Sequence, residues 1–232
     1  MKKLIGNAVI GQSGGPTAAI NATLSGVVRG CMEADCIGKI YGAINGIEGV
    51  LAERFCDLGE KLPDEASLRL LEQTPAAALG SCRKKLPKPE DDPATFEKLV
   101  EIFKKYDIRY FFYIGGNDSM DTVAKLSRYC ASVGFDMRVM GVPKTIDNDL
   151  FGTDHCPGFG SAAKFIATSC MEVGKDTDVY NTDMVTVIEI MGRHAGWLTA
   201  SAALATEYGN GCGPDLIYLP ERDFDLDQFT DD

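Results

Sequence analysis

Short apolar runs alternate with amphipathic stretches along this chain, and most of the apolar runs end in glycine or proline. LIGNAVIG (4–11), IGKIYGAI (37–44), IRYFFYIGG (108–116) and RVMGV (138–142) read as strands, as do MVTVIEI (184–190) and DLIYL (215–219). Between them, Ile20, Leu24, Val27, Val28 and Cys31 keep helical spacing. Phe96, Leu99, Val100 and Phe103 within 94–106 do the same, and so do Met120, Val123, Ala124 and Ser127. Further helices are expected around 64–73, 160–173 and 195–206. Near-continuous apolar strands separated by helices predict an α/β fold, a parallel sheet covered by helices. Ligands of such sheets bind beyond the carboxyl ends of the strands, where every unusual motif of this chain falls.

Composition narrows the partners. A formal charge of −11 over 232 residues argues against nucleic acid and anionic membrane, which both require a broad basic surface. A small phosphorylated ligand needs only a few local cations or a metal. The eight cysteines form no C-x-x-C pair and the chain has two histidines, which speaks for reduced, mostly buried thiols and against a zinc framework. The start, MKKLIGNAVIG, is short, ends in glycine and has no small-residue cleavage pattern, so it reads as a first strand and not a signal peptide. No stretch has the length of a membrane span, and the expected location is the cytoplasm.

Four turns carry the chemistry. In GQSGGPTAAIN (11–21), Gly14 and Gly15 separate a strand from a helix whose first turn starts near Thr17. Glycines let backbone approach a ligand, and unpaired N–H groups at a helix start can hold an anion. The plainer reading is a tight turn with Thr17 as helix cap. The spacing matches neither the P-loop nor the dinucleotide fingerprint. IGGNDSMD (114–121) repeats the arrangement: Gly115 and Gly116 free the backbone, and Asn117, Asp118 and Ser119 can hold phosphate oxygens or a hard cation, or merely cap a helix. In GVPKTIDND (141–149), Asp147 is a candidate proton acceptor and Lys144 a cation for a transferring phosphoryl group. Asn148 and Asp149 can fix that loop or serve a metal shell. EIMGRHAGW (189–197) offers Met191 and Gly192 as a close wall and Arg193 as a phosphate contact, while Glu189 reads as a structural carboxylate. LGSCRKK (79–85) supplies Arg83, in a basic run that by itself reads as a solvated face.

Together these stretches resemble the phosphofructokinase family: the first Gly-rich turn, LGSCR, GGNDS, PKTIDND, MGR and LPE (219–221), in that family's order and across nearly the whole chain. The resemblance implies a phosphofructokinase-like, two-lobed, Rossmann-like three-layer sandwich with mainly parallel sheets. The first lobe, residues 1–155, would take the phosphoryl donor, and residues 156–232 would begin the sugar-phosphate lobe. It implies transfer of a phosphoryl group to the 1-hydroxyl of fructose 6-phosphate with Mg²⁺. Asp147 matches the family's base, with Lys144, Thr145 and Arg193 beside it in the catalytic set. Thr145, Ile146, Asp147, Met191, Gly192, Arg193 and Glu221 match the sugar-phosphate site. Gly14, Gly15, Arg83, Gly116, Asp118 and Ser119 match the donor site, with Asn117 and Asp118 as metal candidates. Asn117 stands where the family usually has a metal-linked aspartate, and Met184 where many members have an arginine reaching a neighbour.

Two positions address the donor. ATP-using members resemble GGDGS and PGTIDND, whereas this chain has Asp118 and Lys144 in place of those glycines. Both changes resemble the pyrophosphate-dependent branch. The alternatives are an ATP-dependent 6-phosphofructokinase and a non-catalytic subunit or fragment derived from the family. The family's chains are longer and carry further sugar-binding residues, so this chain is expected to be a shortened form. A homo-oligomer, dimer or tetramer, is expected.

Overall fold

The computed structural model describes residues 4–17, 19–209 and 211–232. The chain separates into two compact units, Met1–Lys144 and Thr145–Asp232. In the first, β1 (Gly6–Gln12), α1 (Ile20–Glu33), β2 (Ile37–Ala43), α2 (Gly46–Leu51), β3 (Phe55–Asp57), α3 (Leu58–Lys61), α4 (Glu65–Gln73), α5 (Pro93–Lys105), β4 (Ile108–Gly115), α6 (Asn117–Ser132) and β5 (Arg138–Pro143) follow in order. The sheet order is β3-β2-β1-β4-β5. β1, β2, β4 and β5 run parallel, and only the short edge strand β3 is antiparallel.

Strand alternation divides the core. Ala8, Ile10, Ile40 and Ile114 pack with Leu24 and Val28 of α1 and Leu68 and Leu71 of α4 on one face. Val9, Phe111 and Tyr113 pack with Ile47 of α2, Phe96, Leu99 and Phe103 of α5 and Leu126 of α6 on the other. This is the helix-covered sheet expected from the apolar strands, and the layering that the family resemblance implies. Each fully buried residue of this size contributes about 1.5–3 kcal/mol by leaving water. From β1 the chain moves to β2 on one side and later returns to β4 on the other. The turns leaving β1 and β4 therefore part in opposite directions, which opens a crevice at their carboxyl ends.

The second unit contains α7 (Phe159–Thr177), α8 (Trp197–Ala200), a 3₁₀ turn (Ser201–Ala203), α9 (Leu204–Tyr208) and α10 (Leu226–Asp231). Its small core gathers Cys170, Ala202 and Ala205, flanked by Ile166, Met171, Ile190 and Ile217. Two expectations are corrected here. Residues 184–190 and 215–219 form no strand, because neither has a hydrogen-bonded neighbour among the described residues. Val185 and Val187 are left 91% and 82% exposed, while Ile190 and Ile217 still reach the core. The helix expected over 195–206 is broken into α8, the 3₁₀ turn and α9. All eight cysteines are free thiols, and burial pushes Cys31 up to about 12 and Cys130 up to about 11, which keeps both protonated and inert. Among the described residues no helix is long and apolar enough to cross a membrane.

A buried polar knot fixes the end of β1. Gln12, with no exposed surface, donates from Nε2 to Ile20 O at 3.2 Å and to Asn21 Oδ1 at 3.1 Å, and its Oε1 accepts from Leu79 N at 2.8 Å. Asn21 in turn accepts from Ala78 N and donates to Thr74 O, both at 2.8 Å. Replacing Gln12 by leucine strands the Leu79 N–H and removes one of the two donors to Asn21 Oδ1, and is expected to lower unfolding stability by about 2–3 kcal/mol. Urea denaturation measures this; a loss under about 0.5 kcal/mol would mean that the knot is dispensable.

Candidate active site

The crevice of the first unit is built from backbone. After β1 the chain turns through Gly14, whose φ of 79° suits glycine. Gly14 N donates to Cys82 O at 3.0 Å, and Gly14 O accepts from Ser81 Oγ. Leu79–Cys82 thus lies as a strap across the strand ends. Asn45 secures its other side, donating from its backbone N to Leu79 O at 2.8 Å and from Nδ2 to Ser81 O at 3.2 Å. Gly80, at φ 69°, presses against that Asn45 amide, and a side chain there would collide with it. This explains the LG of LGSCR: the turn is a backbone splint carrying Arg83 to the crevice rim, where it is exposed.

From β4 and β5 the same crevice gains a second wall. Lys144 N donates to Gly115 O at 2.9 Å, and its ammonium reaches back to Gly15 O. A Cβ on Gly14 would stand 4.0 Å from Gly116 N, and one on Gly116 3.8 Å from Lys144 O. A Cβ on Gly115 would overlap Ser119 and Ser13 O, so these two elements meet only because glycine is there. The structure therefore brings together Gly14, Gly15, Gly116 and Lys144. Ser119 is buried behind Gly115, whereas Asn117 and Asp118 are exposed on the first turn of α6. Asp118 Oδ1 lies 2.9 Å from Lys85 Nζ.

Several plainer readings fail. Thr17 does not cap α1: the helix starts at Ile20 behind Ala19 with no side-chain cap, and Thr17 Oγ1 is enclosed without a hydrogen-bond partner. Neither Asn117, Asp118 nor Ser119 caps α6, whose cap is Gly116 with no side-chain bond. Among the described residues no group of three or more His, Cys, Asp and Glu is placed to hold a metal. One exposed carboxylate with a neighbouring amide suits instead a hard cation that arrives on a phosphate, since Mg²⁺ keeps most of its shell as water and phosphate oxygen.

In the second unit, Thr145 Oγ1 accepts from Asp147 N at 3.0 Å. Asn148, buried and left-handed at φ 58°, donates from Nδ2 to Asp154 O at 3.0 Å and accepts from Cys156 N at 2.8 Å. Of the two roles open to Asn148, it fills that of loop latch. Ile146 and Met191 line one mainly apolar groove of about 280 Å³, with Phe165, Ile166, Ile190 and Leu198. Gly192, at φ 138°, permits a turn in which a side chain would strike Ala195 O. Glu221 accepts from Gly196 N at 2.6 Å, which ties the LPE stretch to the start of α8, three residues after MGR. Arg193 is exposed, as are both histidines, and His155 lies against the Phe159 ring at 6.0 Å. Sequence reasoning missed Gln12, Asn21, Asn45 and Lys85. Only Asn45 left a readable signal, as the first residue of an Asn-Gly pair after a strand.

Three comparisons bear on this arrangement. The sequence matches the family described as phosphofructokinase over residues 7–232. It is 48% identical to a pyrophosphate–fructose 6-phosphate 1-phosphotransferase of Halomonas elongata, over 94% of this chain and 52% of that protein. The structure of a pyrophosphate-dependent phosphofructokinase from Marinobacter aquaeolei superposes with a TM-score of 0.82 at 43% identity, covering 98% of this chain and 56% of that one. A similar structure from Nitrosospira multiformis gives a TM-score of 0.82 at 42% identity, over 96% and 55%. The chain thus spans about half the length of the relatives it matches.

The Asn148 latch has a measurable consequence. Asn148→Ala removes two hydrogen bonds and replaces asparagine, which tolerates the left-handed region, with alanine, which does so less readily, at a cost of about 2 kcal/mol to the local loop. Hydrogen exchange at the Cys156 amide should accelerate by about tenfold or more, with less acceleration in Asn148→Gly. Unchanged protection in both variants would remove the latch role.

Proposed function

The chain belongs to the phosphofructokinase family, and on that premise we propose that it carries the donor-binding and proton-accepting residues of a pyrophosphate-dependent phosphotransferase. The reaction is reversible transfer of a phosphoryl group from pyrophosphate to the 1-hydroxyl of fructose 6-phosphate, giving fructose 1,6-bisphosphate and phosphate. One observation supports this reading most: a lysine ammonium and an exposed aspartate stand at a glycine crevice where ATP-using members resemble glycine at both positions.

In this reading Gly14, Gly15 and Gly116 let backbone close on the diphosphate, and Lys144 and Arg83 offset its charge. Asp118 occupies volume that a nucleotide α-phosphate would need. Asp147 takes the proton of the 1-hydroxyl as its oxygen bonds to phosphorus and the bond from phosphorus to the leaving phosphate breaks. Met191, Gly192, Arg193 and Glu221 hold the sugar phosphate, with Thr145 and Ile146 beside the base. Asn117 and Asp118 would hold Mg²⁺, which supplies charge neutralisation of the donor when bound. The protein acts as a homo-oligomer in the cytoplasm, and this chain corresponds to about half of the relatives' length.

The test is fructose 1,6-bisphosphate formation with Mg²⁺, comparing pyrophosphate and ATP in parallel. Turnover is expected with pyrophosphate alone, and Asp147→Asn should lower it by about 10² or more. ATP use should emerge in the double variant Asp118→Gly with Lys144→Gly. Turnover with ATP alone in the unaltered chain would overturn the donor assignment. Silence with both donors would favour a ligand-binding role without catalysis.

A further inference from the structure

The basic run after LGSC is held too firmly to be an ordinary solvated face. Cys82, 6% exposed, is pinned through its carbonyl to Gly14 N and Ser13 Oγ, at 3.0 and 3.4 Å. Leu86, 1% exposed, is pinned through its carbonyl to Lys125 Nζ of α6 at 2.8 Å. Arg83, Lys84 and Lys85 are thus three exposed cations on a strap anchored at both ends, running from the β1 turn to α6. Lys85 closes the span with the 2.9 Å contact to Asp118. An ammonium near a helix N-terminus is opposed by the helix dipole, so Asp118 supplies the attraction that keeps it there. The side chains are 68% and 65% exposed, and a pair so open contributes about 0–1 kcal/mol to stability. Folding thus gains little from the contact, while its position bears directly on donor charge.

Resting on the donor reading above, we propose that Lys85 is a positioning and specificity-determining residue that acts through Asp118. A bare carboxylate at the crevice repels pyrophosphate as well as a nucleotide. Paired with Lys85, Asp118 keeps its volume and orientation but loses most of its net charge toward an incoming anion. Steric exclusion of a nucleotide is then retained, and the electrostatic penalty on the small donor is removed. Asp118 and Lys85 work as one selecting pair, with Lys144 on the opposite wall.

Isothermal titration of the chain with pyrophosphate and Mg²⁺ tests this without requiring turnover, with thermal melts run beside it as a folding control. Lys85→Ala should weaken pyrophosphate binding by about tenfold, the equivalent of ~1.4 kcal/mol, with the melt unchanged. Lys85→Arg should restore most of the affinity. The difference between the unaltered chain and Lys85→Ala should shrink at high salt. In an Asp118→Asn background the same Lys85→Ala change should cost less than about twofold. Equal binding by the unaltered chain and Lys85→Ala would overturn the inference while leaving the donor reading standing. An undiminished tenfold loss in the Asp118→Asn background would also overturn it, by making Lys85 a direct phosphate contact. Absence of pyrophosphate binding in the unaltered chain would overturn the donor reading, and this inference with it.

Discussion

The crevice depends on the side-chain amide of Gln12. It lies at the last residue of β1, wholly out of water, and uses both ends: the NH₂ fixes the start of α1, and the carbonyl fixes Leu79. Leu79 begins the strap that crosses the strand ends, so one buried amide sets the distance between the β1 turn and the LGSC loop. Asn21, the second residue of α1, repeats the device and holds residues 74–78. Buried amides are costly when partly satisfied and confer a unique geometry when fully satisfied. Here that geometry positions Gly14, and through the strap it positions the cations that follow. The apolar core could form without this knot; the crevice could not keep its shape.

Most of the first unit was legible because its residues report burial by period. β1 and β4 are largely apolar on both faces, β2 and β5 are short and mainly apolar, and α1, α5 and α6 each carry one apolar stripe, so the expected boundaries fall within two or three residues of those observed. β3 escaped because three residues at a sheet edge, Phe55–Asp57, leave no periodic trace. The failures in the second unit have a different origin. MVTVIEI has the composition of a strand, yet a strand exists only with a neighbour to exchange hydrogen bonds. Periodicity records the demand for a partner and cannot show whether one is at hand. Ile190 finds apolar contact and Val187 does not, although both belong to one apolar run.

The site was legible where glycine and charge coincide at strand ends, as in the turns of Gly14, Gly116 and Lys144, which the fold gathers into one crevice. It was not legible where long-range contacts decide a residue's role. Thr17 looks like a helix cap, but the helix begins three residues later. Asn148 can be read as a metal group or a latch, and only the partners at Asp154 and Cys156 settle which. Lys85 looks like one more solvated cation in LGSCRKK. Its meaning comes from Asp118, 33 positions away in sequence and 2.9 Å away in space.

In the proposed donor role, this last pairing bears on how an acidic protein would accommodate a densely charged donor. With a net charge of −11, the chain's far field repels phosphates, so attraction must be local. Under that proposal the crevice would meet the requirement with glycine-lined backbone, with Lys144 and with the cations of the anchored strap. Adding a carboxylate to such a place runs against its electrostatics unless the carboxylate is neutralised. A neutral residue of similar size would exclude a nucleotide by volume alone, but would give up the carboxylate's grip on a metal-bound phosphate. In the proposed role, an aspartate paired with a lysine would retain both properties: bulk toward the larger donor, and an oxygen ligand for a cation carried by the smaller one. The ion pair is weak because it is exposed, so it adds little to stability, and its proposed role lies in the charge and volume that it presents to the donor.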